Sequence, residues 1–241
     1  MWYITVASLL LLSICTSLNG NNAIPKEKLS AGLHEKELKL ADGQILRYCV
    51  YIPKTLSDEK VPLVLALHYG GKVTPYYSRE YLEKLVIPAF EQLNAIIIAP
   101  DCPGSSWRDS QSEQAVLTLL DKSINELPIN QARVVVTGYS MGGIGSWFIA
   151  SRHPKRFCAA IPVSARPVDE PDGSVPFYVI HSPQDELFDL KLTEQAVNKL
   201  KEKGGQVELQ VVAGISHYET KRFVPALSKT VDWLNKLWAN K

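Results

Sequence analysis

RVVVTGYSMGGIGSWFIASRHP, residues 133–154, decides how this chain is read. A β-branched apolar run ends at Gly138, and a stretch able to begin a helix at once starts at Met141. Between them, Gly138, Ser140 and Gly142 match G-x-S-x-G. Three fixed positions match by accident in roughly one chain in ten at ordinary glycine and serine frequencies, so the motif alone is weak. Its context is more specific. A strand turning directly into a helix forces the central residue into strained backbone angles and lifts its hydroxyl above the sheet, so the residues two before and two after must be small. Gly138 and Gly142 meet that need, which makes Ser140 a candidate nucleophile rather than an ordinary serine in a glycine-rich loop.

Outward from this stretch, strand-like and helix-like segments alternate. KELKLADGQILRYCVYIP reads as a hairpin turning at Asp42-Gly43. Apolar runs follow at 61–71, 94–100, 133–138, 158–164, 175–181 and 207–214, each bounded by Gly, Pro or polar turns. Counting the hairpin, this predicts an eight-stranded sheet, mostly parallel because the runs are apolar on both faces, with helices on both sides. Ala115, Val116, Leu119, Leu120, Ile124 and Leu127 form one helical apolar stripe, and Val224, Leu227, Val231, Leu234 and Leu237 form another. No repeat, low-complexity tract or linker divides the chain, so residues 21–241 are expected to form a single α/β domain.

Composition agrees. Of 241 residues 46% are hydrophobic and 21% charged, enough for one sizeable core. The 26 basic and 25 acidic residues leave +1, with no basic block, so nothing electrostatic points to nucleic acid. The apolar run from Tyr3 to about Leu18, with no charge before Lys26, resembles the core of a secretory signal over residues 1–20, although it lacks a positive leading region. An uncleaved anchor or a lipid-modified Cys15 is the alternative, and the expected location is secreted or periplasmic. Loss of that segment leaves Cys49, Cys102 and Cys158, which allow at most one disulfide.

A serine hydroxyl needs an imidazole base, and the imidazole needs a carboxylate to fix its tautomer. Of the five histidines, His34 enters the first strand, His153 precedes Pro154 at a helix end, and His68 and His181 close apolar strands. His217, in the loop AGISHYET after the last strand, can reach across the carboxyl edge of the sheet. Asp185, in HSPQDELF after the penultimate strand, opens onto the same edge. Glu186 and Asp189 are its rivals, solvated or capping the helix that begins near Leu190. The order Ser140, Asp185, His217 is that of an α/β-hydrolase.

Together with LHYGG (67–71) and IIAPDCPGSSW (97–107), these stretches resemble the α/β-hydrolases of the secreted esterase group that includes feruloyl esterases, polyhydroxybutyrate depolymerases and dienelactone-hydrolase-like proteins. The resemblance runs from about Leu33 to Trp238. It implies that LHYGG is the oxyanion loop, in which Tyr69 stands where the family usually has Gly, so that Tyr69 or Gly70 supplies one N–H. Met141, next after the nucleophile, supplies the other. His68 is then expected to hold this loop by hydrogen bonds. Trp107, as pocket wall or buried anchor, and Tyr139, beside the nucleophile, are candidate substrate-binding residues.

The expected activity is hydrolysis of short-acyl or aryl esters, feruloyl or acetyl in type, by a serine esterase forming an acyl-Ser140 intermediate. The expected partner is a small-molecule or polymer-attached ester, without nucleic acid or a stable membrane partner. A serine peptidase or acyltransferase of the same fold, or a non-catalytic binding module, is the alternative. No Cys/His spacing suits zinc and no glycine loop suits a phosphate, so no metal or cofactor is expected. Only SARPVDEPDGS, 164–174, separates two strands where related lipases insert a helical lid, and eleven residues with three acids and two prolines cannot build one. An open, lidless cleft is expected.

Overall fold

Runs of Val, Ile, Leu and Ala with no polar alternation can be satisfied as strands only if both faces are covered. The computed structural model, described for residues 30–56, 59–167 and 171–239, shows this. Its strands are β1 (Gly32–Lys39), β2 (Ile45–Ile52), β3 (Val61–Leu67), β4 (Ile96–Pro100), β5 (Ile129–Tyr139), β6 (Ala159–Val163), β7 (Phe177–His181) and β8 (Val207–Val211). Every residue of β3, β4 and β6 is buried. Among the described residues these strands form one sheet in the order β1-β2-β4-β3-β5-β6-β7-β8. β2 runs antiparallel to both its neighbours, and β3 to β8 are mutually parallel. The hairpin turns at Asp42-Gly43, where Gly43 has φ 87°. The edge strand β1 carries Glu35, Lys36, Glu37 and Lys39, charges that discourage pairing with another sheet.

Alternate strand residues feed two cores. Leu63, Leu65, Leu67, Val134 and Val136 pack on one face with residues of α3 (Ser110–Glu126), α4 (Met141–Arg152) and α5 (Leu190–Glu202). Val64, Ala66, Val135 and Tyr139 pack on the other with α1 (Ser78–Tyr81), α2 (Ile87–Phe90), α6 (Val224–Ser228) and α7 (Thr230–Ala239). The first expected stripe lies on α3, whose N-terminus is capped by the Asp109 side chain accepting the Ser112 N–H at 2.8 Å. The second stripe is divided: it bends between α6 and α7 at Lys229 rather than forming one helix.

The helical stretch from Ser78 to Leu93 was not marked by any periodic stripe. It joins α1 to α2 through a π-helical turn, Leu82–Val86, in which the Ile87 N–H reaches back to Leu82 O. Pro88 explains it: without an N–H, and with a ring that crowds the carbonyl four residues before, it cannot continue a regular α-helix from α1.

Between β6 and β7 the described residues contain no helix, as expected of a chain without a lid. Cys49, Cys102 and Cys158 are buried, and burial pushes the Cys49 thiol up to about 11. The expected signal at residues 1–20 lies outside the described residues. Among those described, no helix is long and apolar enough to cross a membrane.

Candidate active site

Ser140 sits between β5 and α4 with φ 56° and ψ −117°, a region sparsely populated by residues with a side chain. The turn is held at both ends: the Ser140 N–H donates to Val163 O at 3.0 Å, and Ser140 O accepts from the Ile144 N–H at 2.9 Å. Close backbone approach dictates the flanking residues. A Cβ on Gly138 would lie 2.0 Å from Gly142 O, and one on Gly142 would lie 1.8 Å from Leu67 O. The expectation that both must be small has this cause. Gly145 answers a different demand, since a Cβ there would meet Trp107 Cβ at 2.5 Å.

His217 is brought to Ser140 by the loop after β8. Its Nδ1 lies 2.8 Å from Asp185 Oδ2, and its Nε2 lies 2.9 Å from Ser140 Oγ. A carboxylate only accepts, so the ring proton is on Nδ1 and Nε2 is free to accept from the serine hydroxyl. The backbone is held as well. The His217 N–H donates to Glu186 Oε2 at 2.8 Å, and the Tyr139 hydroxyl donates to His217 O. Two pairs of sequence neighbours, Tyr139-Ser140 and Asp185-Glu186, therefore grip this histidine, each pair giving one contact to the ring and one to the main chain.

Asp185 Oδ1 accepts the N–H groups of Leu187 (2.9 Å) and Phe188 (2.8 Å). Burial opposes its charge, but hydrogen bonding from His181, His217 and the Phe188 amide outweighs burial and holds the carboxyl well below the usual carboxylate range. Of its rivals, Glu186 binds the His217 main chain, and its carboxyl is held low mainly by that N–H. Asp189 caps α5, accepting the Lys191 N–H at 2.9 Å.

Gly70 and Tyr69 lie beside Ser140, and a Cβ built on Gly70 would sit 3.7 Å from Met141 Cβ. Met141 opens α4, where the first amides have no carbonyl partner within the helix and the dipole favours negative charge. His68 fixes the facing loop. Its Nε2 accepts the Cys102 N–H at 3.0 Å, so its Nδ1 carries the proton donated to Tyr69 O at 2.6 Å. Burial pushes its pKa down, and neither nitrogen is left to act as a base. The Tyr69 ring packs edge-on against Tyr77, Tyr81 and Tyr139.

These groups open into a cleft of about 770 Å³ whose walls include Tyr69, Gly70, Tyr139, Leu187 and residues 218–222. Trp107 is not among the lining residues. It is 1% exposed, and its indole N–H donates to His68 O at 2.9 Å, which is the position of an anchor beneath the loop. Tyr139 does line the cleft, but only 2% of it is exposed, and its hydroxyl is committed to His217. Burial raises that hydroxyl to about 12, so it stays protonated and able to donate. His34 bonds Ser30 O and His153 bonds Glu113, both remote from Ser140 in their contacts. The main-chain grip of Tyr139 and Glu186 on His217 has no signature in the sequence beyond their adjacency to Ser140 and Asp185.

"Acetylxylan esterase A" of Talaromyces purpureogenus is 31% identical over 124 residues, 46% of this chain and 31% of that protein. "Probable feruloyl esterase C" of Aspergillus flavus is 25% identical over 196 residues, 77% of this chain and 70% of that protein. The chain thus spans about a third of the first relative and just over two thirds of the second. A crystal structure of a thermostable esterase superposes with a TM-score of 0.73 at 24% identity, covering 85% of this chain and 62% of that one, which shows a shared fold. Residues 85–225, more than half of the chain, match the dienelactone hydrolase family, and with its sheet order and strand-turn-helix serine the chain belongs to that family of α/β-hydrolases.

Proposed function

We propose that the protein is a serine esterase that hydrolyses carboxylic esters through an acyl-Ser140 intermediate. The observation that carries this reading is the unbroken hydrogen-bonded chain from Ser140 Oγ through His217 to Asp185, at the floor of an open cleft. His217 Nε2 takes the Ser140 proton as Oγ bonds to the ester carbonyl carbon. The oxyanion that forms faces the Met141 N–H and that of Tyr69 or Gly70. The carbon–alcohol bond then breaks, the leaving oxygen takes the proton from Nε2, and the acyl group remains on Ser140. Water repeats the sequence, giving its proton to His217 and releasing the carboxylic acid as Ser140 recovers its own.

The substrates we infer are short-acyl or aryl esters, free or attached to a polymer. The names of the acetylxylan and feruloyl esterase relatives support this, as does the lack of a helix between β6 and β7 in the described residues. Residues 1–20 act, in this reading, as an export signal for a single catalytic unit that follows.

Each buried CH₂ adds about 0.8 kcal/mol to binding only where a covered apolar channel receives it. For p-nitrophenyl esters of increasing acyl length, kcat/KM is therefore expected to peak within the first few carbons and not to jump when the substrate forms micelles. A fluorophosphonate should add one adduct mass to the wild type and none to Ser140→Ala. A maximum at long chains would make the protein a lipase, and a failure to label would make it a binding module.

Asp185 is held ionised far into the acid range and Tyr139 protonated up to about 12. As pH falls through the ordinary carboxylate range, loss of activity is thus not expected to come from protonation of Asp185. A plot of log kcat/KM against pH should approach a slope of one on its acid side. A slope of two, with Asp185 taking up its proton in the same range, would contradict the hydrogen-bond pattern described.

A further inference from the structure

His181 is fully buried at the end of β7, one residue before the loop that carries Asp185. The esterase mechanism does not use it. Its Nε2 lies 3.0 Å from Phe188 O and 3.5 Å from Asp185 Oδ2. A carbonyl only accepts, so Nε2 carries the proton and donates it to the Phe188 carbonyl, with Asp185 Oδ2 the next acceptor at 3.5 Å. Nδ1 meets the Thr193 hydroxyl at 2.9 Å, which fixes the ring from its other side. The side chains of His181 and Asp185 are both 0% exposed, so bulk water cannot stand in for a lost donor.

A carboxylate offers about four lone-pair directions. On Asp185 three are taken by hydrogen bonds, two on Oδ1 from the Leu187 and Phe188 amides and one on Oδ2 from His217, and His181 Nε2 stands 3.5 Å from the remaining side of Oδ2. The amides hold one end of the carboxylate but leave its plane free to tilt about them. The His181 N–H approaches the very oxygen that faces His217. We propose that His181 is a positioning residue for the esterase: its Nε2–H holds Asp185 Oδ2 in the orientation that keeps His217 aligned on Ser140. This rests on the reading of Asp185 as the acid of the catalytic chain.

The three side chains available at this position separate the contacts. Asn places an amide near Nδ1, within reach of Thr193 but not of Asp185. Gln places an amide N–H near Nε2, and Leu removes both. Misplacing a reacting group by about 1 Å costs roughly 100-fold in rate. With p-nitrophenyl acetate, His181→Leu and His181→Asn are expected to lower kcat by about 10- to 100-fold with KM within a few-fold, and His181→Gln to recover most of the loss.

The cycle with Asp185→Asn decides between positioning and a general structural role. On that background His181→Leu should cost less than about three-fold more, because the group it positions is already disabled. If His181→Leu does not fold by circular dichroism, His181→Asn takes its place in the cycle. An equal loss on both backgrounds, or His181→Gln no better than His181→Asn in folded protein, would overturn the positioning role while leaving the acid assignment intact. Near wild-type turnover of Asp185→Asn itself would instead overturn the acid assignment, and the proposal with it.

Discussion

Ser140→Ala and His217→Ala are each expected to lower kcat by about five to six orders of magnitude, with KM within a few-fold and the circular dichroism spectrum unchanged. Each removes an element without which the proton cannot leave Oγ, so combining them should cost little more than either alone. Asp185→Asn should lose about 10⁴-fold, because an amide presenting N–H to Nδ1 selects the wrong tautomer. Glu186→Gln is the control beside it. Its amide oxygen can still accept the His217 N–H, so kcat should fall by no more than about ten-fold. Single-turnover and steady-state rates with p-nitrophenyl acetate measure all four. Retention of more than about 1% of turnover by Ser140→Ala would remove Ser140 from the mechanism.

Gly142→Ala is expected to be the most damaging change of a single methyl group. The new Cβ would meet Leu67 O at 1.8 Å, Leu67 C at 2.5 Å and His68 O at 2.7 Å, all of them main-chain atoms at the end of β3. No side-chain rotation relieves the clash; either α4 or the loop carrying Tyr69 and Gly70 must shift. Overpacking of this kind costs about 3 kcal/mol or more, which in a protein of this size lowers Tm by roughly 6–12 °C. The proposed oxyanion donors would part from Ser140 at the same time, so the folded fraction should also lose kcat. Gly204→Ala tests the opposite case. Gly204 has φ 81°, but its Cβ would meet nothing within 4 Å, so only the backbone penalty of about 1 kcal/mol is expected. Thermal unfolding followed by circular dichroism compares the two, and an equal effect would contradict the close approach of α4 to β3.

The sheet was legible because parallel strands covered on both faces must be apolar throughout, and no helix among the described residues imitates LVLAL or AIIIA. The stripe on α3 was legible for the complementary reason, a 3.6-residue period kept from Ala115 to Ile124, about three turns. The stretch around Pro88 was not. Its apolar residues change period across the π-turn, so no single helical spacing fits them. The C-terminal stripe is continuous in sequence yet bends at Lys229, which periodicity does not register. Around Ser140, the turn chemistry named the glycines and the sheet edge named the loops, and the structure brings His217 within hydrogen-bond distance of both Ser140 and Asp185. What the sequence could not separate was which side of a side chain faces the cleft. Trp107 and His181 both end or follow apolar runs near the site, and only packing distinguishes an anchor under the oxyanion loop from a wall, or a strand-closing histidine from one that touches Asp185.

The grip on His217 by two pairs of sequence neighbours has a consequence for how this site can change. Because Tyr139 and Ser140 divide ring and main chain between them, as do Asp185 and Glu186, inserting or deleting one residue in either loop would exchange the two duties and lose both contacts together. Substitutions confined to side chains that face the cleft leave this register untouched. Diversification of the cleft, by evolution or in a designed library, is therefore open at Leu187 and across 218–222, where side chains form the wall, provided that the lengths of both gripping loops are kept.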